Sequence, residues 1–322
     1  MVGRFVVLLY TNNDTTMTKT PKTLLEAVTY YSDNAKCVEF VTNHCYPGGE
    51  IACIRCGSMR VSVVKNRAQY CCKDCKYQFS IKVNTIFENS PLPLSKWLPT
   101  MWLIANAKNG ISSHEIARAI GVTQKTAWFM SHRIREVMRT GSFAKLSGTV
   151  ETDETYIGGL EKNKHANKKV HGGNIGNKVI AMGMVERGGN VVTKVIDDTT
   201  YASLGKEIET HVEKGAKLYT DEWRSYMQLG ATYDHFVVNH GAKEYVRGNV
   251  HTNTIESFWA LFKRGLKGTH IHVAPFHLDR YLDDQTFRYN LRKSNDFTRF
   301  NASVAQIVGR RLTWNQLTGK LL

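Results

Sequence analysis

The spacing of apolar residues divides the chain into a helical amino-terminal part and a later part in which strands and helices alternate. Between Thr18 and Gly49, the segment LLEAVTYYSDNAKCVEFV fits one short amphipathic helix and a following segment that ends at PGG. Three further helical patterns lie between Leu94 and Met138. From Gly148 to Lys293 the strand and helix patterns alternate, which predicts a mixed α/β sheet.

Two aspartates lie in predicted strands of this later part. Asp153 stands in GTVETDETYIGG, and Asp221 ends the short strand KLYTD. The segments VIAMGMVE and NVVTKVI flank Arg187-Gly188-Gly189, which predicts two strands joined by a tight hairpin. Between them and Asp221, YASLGKEIETHVEKG predicts a helix that ends at Gly215.

The segment from Asn253 to Arg264 predicts an amphipathic helix with an acid on its polar face. Its apolar stripe follows helical spacing and consists of Ile255, Phe258, Trp259 and Phe262. Glu256 and Lys263 are seven residues apart, nearly two full turns, so both point to another face. The stripe can therefore dock on the sheet while the carboxylate and the ammonium remain accessible.

The charge balance favours an anionic partner. The 322 residues include 43 Lys and Arg against 28 Asp and Glu, a formal net charge of +15, and nucleic acid is the commonest partner of such a chain. No apolar run is long enough to span a bilayer, and the opening residues lack the pattern of a secretory signal. We expect an intracellular protein, in the cytoplasm or nucleoid of a bacterium or in the nucleus of a eukaryote.

Four of the seven cysteines form two CxxC pairs, and this spacing predicts one structural Zn²⁺ site. Zinc takes four thiolates in a tetrahedron, and each tight CxxC turn supplies two of them. The predicted ligands are Cys53, Cys56, Cys72 and Cys75. Cys71 is an alternative to Cys72, but it would change the second spacing to CxxxC, so we assign it to packing.

The helical patterns before Met138 favour a DNA-binding helix-turn-helix. A Ser112 to Glu115 capping box begins one helix, Gly121 marks a turn, and a basic helix starts near Thr123. That second helix carries Gln124, Lys125, His132, Arg133 and Arg135. The alternative is a three-helix bundle that serves only as a spacer.

Three acids in strand, strand and helix contexts suggest a site for two divalent ions. Magnesium prefers hard oxygen ligands, and Asp153, Asp221 and Glu256 offer three carboxylates. Each acid also has a structural reading, as a cap or as a solvated charge. Glu151 shares a strand face with Asp153 and is an alternative ligand, whereas Glu154 points to the other face.

Several basic side chains are candidates for contacts with DNA. In the loop before the last acid, His251 is a candidate phosphate or metal-shell contact, although a structural role is the alternative. Tyr245 in the same loop is a further candidate. The predicted DNA contacts are Gln124, Lys125, Arg133, Lys243, Arg247 and Arg264.

Segments covering most of Thr18 to Lys293 resemble insertion-sequence transposases with an ISXO-type DDE domain, a group related to Merlin DNA transposons. The resemblance rests on CIRCG with QYCCKDCKYQFS, VETDETYIGG, LYTDEWRSY and HTNTIESFWALFKRGLKGTH. It implies an RNase H-like (retroviral-integrase-like) fold, binding to terminal inverted repeats, and DNA cutting and joining with Mg²⁺ or Mn²⁺. It also implies that Asp153, Asp221 and Glu256 are the catalytic acids, with Lys263 as the accompanying basic residue, and that the protein acts as a homo-oligomer.

These patterns predict five regions. They are an unassigned leader (1–17), a helix with the zinc ribbon (18–90), the helix-turn-helix (91–140), the DDE domain (148–293) and a tail (294–322). Met17 is an alternative start. Two rival functions are a non-catalytic DNA-binding protein from a domesticated or decayed element, and a stand-alone RNase H-like nuclease.

Overall fold

The structure is a computed structural model that describes residues 20–64, 69–139, 144–159, 163, 165, 178–222, 224–239, 241–242, 244 and 246–320. The predictions for residues 1–17, Lys243 and Tyr245 lie outside these described residues.

Five helices and two carboxy-terminal helices build the first body of the molecule. They are α1 (Leu24–Tyr31), α2 (Asn34–Cys45), α3 (Leu94–Asn106), α4 (Ser113–Ile120), α5 (Gln124–Met138), α9 (Asp296–Val304) and α10 (Trp314–Thr318). The sequence predicted one helix before PGG, and the structure has two, because the Asp33 side chain accepts from the Ala35 N–H and caps a new helix. Within the described ranges, no helix has the length and apolar character needed to cross a membrane.

The carboxy-terminal segment contributes to the core of this first body. Phe300 is fully buried, and its ring lies against the rings of Tyr31, Phe40 and Trp102. Val304 is buried in the same core. Residues 294–320 therefore pack with the amino-terminal helices rather than trail away from the fold.

The cysteine pairs lie in turns beside a small antiparallel sheet. Its strands β1 (Val61–Val64), β2 (Gln69–Cys72) and β3 (Gln78–Phe79) follow one another in space as in sequence. Such a sheet has too little core to be stable alone, which fits a fold held by a metal.

A five-stranded mixed sheet forms the centre of the second body. Its strands are β4 (Thr149–Ile157), β5 (Val179–Glu186), β6 (Val191–Ile196), β7 (Lys217–Asp221) and β8 (Asp234–Val238). They lie in the order β6-β5-β4-β7-β8, with the first three in sequence antiparallel and the last two parallel to β4. This arrangement confirms the predicted α/β class and the RNase H-like fold.

Helices cover both faces of this sheet. Helix α6 (Tyr201–His211) packs on the face that carries Met182, Met184 and Leu218. It ends at His211, before Gly215, where the sequence predicted its end. Helices α7 (Asn253–Gly265) and α8 (Leu278–Asn290) pack on the opposite face. The candidate acids belong to this second face.

Candidate active site

The sheet register aligns the two aspartates. β4 and β7 pair in parallel, with Thr149 opposite Lys217 and Glu151 opposite Tyr219. The same register continued by two residues brings Asp153 opposite Asp221. Because side chains alternate along a strand, both aspartates point to the face covered by α7.

Gly183 allows α7 to approach the sheet beside Asp153. It is the antiparallel partner of Asp153 in β5, so a side chain there would point to the same face. A Cβ atom on Gly183 would lie 2.6 Å from Cζ2 of Trp259 and 2.8 Å from Cδ1 of Ile255. The missing side chain thus lets the first turns of α7, which carry Glu256, lie directly over the strand of Asp153.

The pKa of Asp153 responds to the other predicted acids. Its burial, and then the negative charge of Asp221, raise the pKa of Asp153 to about 7. Glu256 raises that pKa further, and the ammonium of Lys263 opposes the rise. Asp221, Glu256 and Lys263 are therefore each within electrostatic reach of Asp153.

Glu154 is a buried carboxyl on the other face of the same strand. It pairs with Met182, which belongs to the core under α6. Burial, followed by the charges of Asp153 and Asp221, raises the pKa of Glu154 to about 9. It is therefore protonated at neutral pH and does not add a fourth negative charge to the site.

The acidic cluster fits divalent magnesium or manganese. Its donors are carboxylate oxygens, which these hard cations prefer, and the like charges that raise the pKa of Asp153 would be offset by a cation. The three acids do not form the tight group seen for the cysteines, in which all ligand atoms lie within 4.8 Å of one another.

The four predicted zinc ligands do come together. Their sulfur atoms all lie within 4.8 Å of one another, and the pairs Cys53–Cys75 and Cys56–Cys72 are each 3.6 Å apart. A tetrahedral site with zinc–sulfur bonds of about 2.3 Å needs sulfur atoms about 3.8 Å apart. These four residues therefore fit zinc, and Cys71 is outside the cluster.

The predicted recognition helix is only partly exposed. Gln124 and Lys125 lie exposed at its start, directly after a turn in which Gly121 adopts a left-handed conformation. Arg133 was predicted to contact DNA, and the structure contradicts this. Its guanidinium is 4 % exposed and donates to the carbonyls of Leu312, Ile86 and Glu88.

Arg133 is buried because this part of α5 packs inside the molecule. His132 and Arg135 are also buried, and Arg135 forms an ion pair with Asp284 of α8. The carboxy-terminal half of α5 thus belongs to the contact between the two bodies. Arg247 and Arg264, in contrast, are exposed as predicted.

Sequence reasoning missed the roles of Glu151, Arg187 and Gly183. Glu151 was considered as a metal ligand, but it is fully buried and its oxygens accept hydrogen bonds from Arg187 and from the start of α7. The isolated glycine in VIAMGMVE was a usable signal, because glycine within a strand often marks a close approach. His251 contacts Arg187 through its Nδ1 atom, which supports the structural alternative for this residue.

Comparison with known proteins identifies the class of this chain. Residues 145–290 match the family model of the ISXO2-like transposase domain, and residues 32–78 match that of the transposase zinc-ribbon domain. The chain belongs to the transposases with an ISXO2-like domain, which confirms the resemblance seen in the sequence.

Two relatives have names that refer to a transposable element or to a transposase. An uncharacterized protein in transposable element ISH50 of Halobacterium salinarum is 28 % identical over 243 residues, covering 71 % of this chain and 79 % of that protein. An uncharacterized transposase-like protein of Haemophilus influenzae is 30 % identical over 101 residues, covering 31 % of this chain and 80 % of that protein. Among solved structures, a pre-cleavage Mos1 transpososome matches at 11 % identity and a TM-score of 0.25, over 64 % of this chain and 77 % of that one.

Proposed function

We propose that this transposase binds the terminal inverted repeats of its element and catalyses metal-dependent DNA cleavage and strand transfer. The observation that carries the proposal is the convergence of Asp153, Asp221, Glu256 and Lys263 on one face of the sheet. The family membership supports the same reaction class.

The three carboxylates and the one ammonium group have separate roles at this site. Asp153, Asp221 and Glu256 would hold two Mg²⁺ or Mn²⁺ ions, which supply the charge stabilisation that phosphodiester cleavage needs. Lys263 lies two turns after Glu256 on α7, and its ammonium contacts a phosphate oxygen of the bound strand. The sheet and helix fix these groups before DNA arrives, so little reorganisation is needed during the reaction.

The proposed reaction has two balanced steps. In the first, a water oxygen attacks phosphorus at the element end, the bond from phosphorus to O3′ breaks, and the element receives a free 3′ hydroxyl. The flanking DNA keeps the 5′ phosphate. In the second step that hydroxyl attacks a target phosphate, a new phosphodiester forms, and the target strand is released with its own 3′ hydroxyl.

Exposed basic groups outside the acidic cluster are the proposed DNA contacts. Gln124 and Lys125 begin α5, after the turn that joins it to α4. In a recognition helix, the first residues are those that reach base edges. Arg247 and Arg264 lie on the second body and would contact the backbone. We also infer that two or more copies act together on paired element ends, in whichever compartment holds the DNA.

The zinc ribbon has a structural role in this proposal. One Zn²⁺ held by its four cysteines would stabilise residues 51–79, so that the ribbon can help to hold the element end. No cleavage step passes through these sulfur atoms.

The test uses purified protein, Mg²⁺, and oligonucleotides with the terminal repeats of its own element. Wild-type protein is expected to nick the DNA and to join it to a target. Asp221→Asn should bind the DNA normally but cut it about 1000-fold more slowly, since metal contacts lower the activation barrier by several kcal/mol. Asp234→Asn is the matched control, because Asp234 is an exposed acid on the neighbouring strand.

Each outcome separates the rival functions. Nicking without any strand transfer supports a stand-alone nuclease, and DNA binding without nicking supports a non-catalytic DNA-binding protein. Either result overturns the proposal. An Asp221→Asn variant that cuts as fast as wild type would remove the acidic cluster from the mechanism.

A further inference from the structure

We propose that Glu151 and Arg187 are positioning residues, an ion pair with a buried carboxylate that holds the helix of Glu256 in register with the strands of Asp153 and Asp221. The inference rests on the proposed function, since it assumes that these acids bind divalent ions. It assigns to Glu151 a role distinct from that of a metal ligand.

Glu151 lies at the centre of the sheet with no exposed surface. It precedes Asp153 by two residues in β4, so the two carboxylates point to the same face. Their surroundings differ. Asp153 faces the like charges of Asp221 and Glu256, while Glu151 is surrounded by hydrogen-bond donors.

The carboxylate of Glu151 caps α7 from a different part of the chain. Its Oε2 accepts from the backbone N–H groups of Thr254 at 2.7 Å and Ile255 at 3.1 Å, and its Oε1 accepts from Oγ1 of Thr254 at 2.8 Å. Thr252, at the N-cap position of this helix, makes no side-chain cap; its hydroxyl donates to Oε1 of Glu256 instead. Glu151 thus satisfies free N–H groups of the first turn, where a negative charge is also favoured by the helix dipole.

Arg187 completes the arrangement from the hairpin between β5 and β6. Its Nε donates to Oε1 of Glu151 at 2.6 Å. Its Nη1 donates to the carbonyl of Asn249 at 2.7 Å, and its Nη2 donates to the carbonyl of His251 at 2.9 Å and to Nδ1 of the same residue at 2.8 Å. The guanidinium therefore fixes the loop that leads into α7, and all three of its nitrogens have acceptors.

The pair also reaches the strand of the second aspartate. The guanidinium carbon of Arg187 lies 4.7 Å from the ring centre of Tyr219. Tyr219 is opposite Glu151 in the parallel pair of strands and precedes Asp221 by two residues. This one ion pair thus links the three elements that carry an acid, in each case within two residues of that acid.

This arrangement rules out Glu151 as a ligand in the described conformation. Arg187 and Thr254 occupy Oε1, and two backbone N–H groups occupy Oε2. Glu151 acts instead through the position of its neighbours. Because an arginine only donates, Nδ1 of His251 is the acceptor from Arg187, and its 3.4 Å distance to Oε1 of Glu151 is a contact without a shared proton.

The experiment measures Mn²⁺ binding to the full-length protein by electron paramagnetic resonance, without DNA, and Mn²⁺-dependent nicking in parallel. Glu151→Gln keeps the size of the side chain but removes the charge that pairs with Arg187. The half-saturating Mn²⁺ concentration is expected to rise about 10-fold to 100-fold, the usual effect of losing a group that orients metal ligands. At saturating Mn²⁺ the nicking rate should return to within a few-fold of wild type.

Glu186→Gln is the matched control, because Glu186 lies in the adjacent strand with its side chain on the opposite face. It should leave the half-saturating Mn²⁺ concentration unchanged. If Glu151→Gln does not fold, Arg187→Lys tests the same pair, since an ammonium retains the charge but cannot reproduce the planar set of donors. Arg187→Lys should also raise the half-saturating Mn²⁺ concentration.

The outcomes distinguish this inference from the proposed function. Folded Glu151→Gln or Arg187→Lys protein with wild-type Mn²⁺ binding overturns the inference alone. A nicking rate that stays low at saturating Mn²⁺ also overturns it, because Glu151 would then act on the chemistry itself. If wild-type protein binds no Mn²⁺, or if Asp153→Asn binds it as well as wild type, the proposed metal site fails as well.

Discussion

The zinc ribbon and the acidic cluster are two candidate metal sites built in opposite ways. The ribbon takes its four sulfur atoms from two short turns, and they already lie within 4.8 Å of one another. The acidic cluster takes its carboxylates from β4, β7 and α7, and burial, followed by the like charges, raises the pKa of Asp153. One site is formed by local turns. In the other, the surrounding fold keeps like charges near one another despite their repulsion.

This difference shows what stabilises each site. In the ribbon the metal supplies the stability that a three-stranded sheet lacks. In the acidic cluster the fold would supply the stability, through the close approach at Gly183 and the proposed role of the ion pair between Glu151 and Arg187. Removal of metal should therefore unfold the ribbon and leave the RNase H-like sheet intact.

The largest expected effect is the loss of the ribbon when one sulfur ligand is removed. Structural zinc sites contribute about 10–16 kcal/mol of binding energy in small zinc domains. Cys72→Ser should lose bound zinc, and hydrogen exchange of residues 51–79 should rise sharply, because a hydroxyl is a poor replacement for a thiolate. Zinc content and hydrogen-exchange mass spectrometry measure the two effects.

The adjacent cysteine provides the control for this experiment. Cys71→Ser should retain one zinc per chain and normal exchange, since Cys71 is outside the sulfur cluster. If Cys71→Ser loses zinc and Cys72→Ser retains it, Cys71 is the ligand and Cys72 is not. Unchanged exchange in metal-free wild-type protein would contradict the contrast between the sites.

The next effect is the pH dependence of the metal-free acidic cluster. Burial, and then the charge of Asp221, raise the pKa of Asp153 to about 7 from an ordinary value of 3.8. The folded state binds this proton more tightly than the unfolded state, so its contribution to stability is complete below about pH 4 and is lost as the pH rises through about 7. In the metal-free protein, Asp153→Asn should raise the free energy of unfolding at pH 8 by on the order of 3 kcal/mol.

Urea unfolding from about pH 5 to about pH 8 in the presence of a chelator measures this profile. Asp153→Asn should make the decline between about pH 5 and about pH 7 shallower, while Asp234→Asn, an exposed acid, should not. The pKa of Glu154 is raised to about 9, so both variants should keep the part of the decline that Glu154 causes, up to about pH 9. The same slope in Asp153→Asn as in wild type would contradict the charge crowding at this site.

The smallest of these effects sharpens the comparison at the contact between α7 and the sheet. Gly183→Ala places a methyl group against Trp259 and Ile255. Overpacking of this kind costs about 1–3 kcal/mol, so the free energy of unfolding should fall by about 2 kcal/mol. Because the helix that carries Glu256 must shift, the half-saturating Mn²⁺ concentration should rise as well.

Gly230→Ala is the control, because a Cβ atom there would meet nothing within 4 Å. It should change neither the stability of the sheet nor its Mn²⁺ binding. If Gly183→Ala is as stable as wild type and binds Mn²⁺ normally, the close approach of α7 has no part in building the site.

Local patterns predicted the four cysteines that come together and proposed the three acids, but they did not predict the contacts around those acids. The CxxC pairs and the helical stripe of α7 depend on neighbours in sequence, so their spacing was sufficient. The role of Glu151 depends on the register of β4 with β7 and on where α7 begins, which a strand pattern does not contain. Arg133 was assigned to DNA for the same reason, because a basic helix residue has the same pattern whether it faces solvent or a buried carbonyl.

The central claim is that Asp153, Asp221 and Glu256 together hold divalent ions. Its most direct test is a crystal structure of the full-length protein with Mn²⁺, using anomalous scattering to locate the metal. The account predicts manganese peaks bounded by these three carboxylates, with Glu151 still bonded to Arg187 and to the start of α7. Well-ordered carboxylates with no manganese between them, at Mn²⁺ concentrations that support nicking, would contradict it.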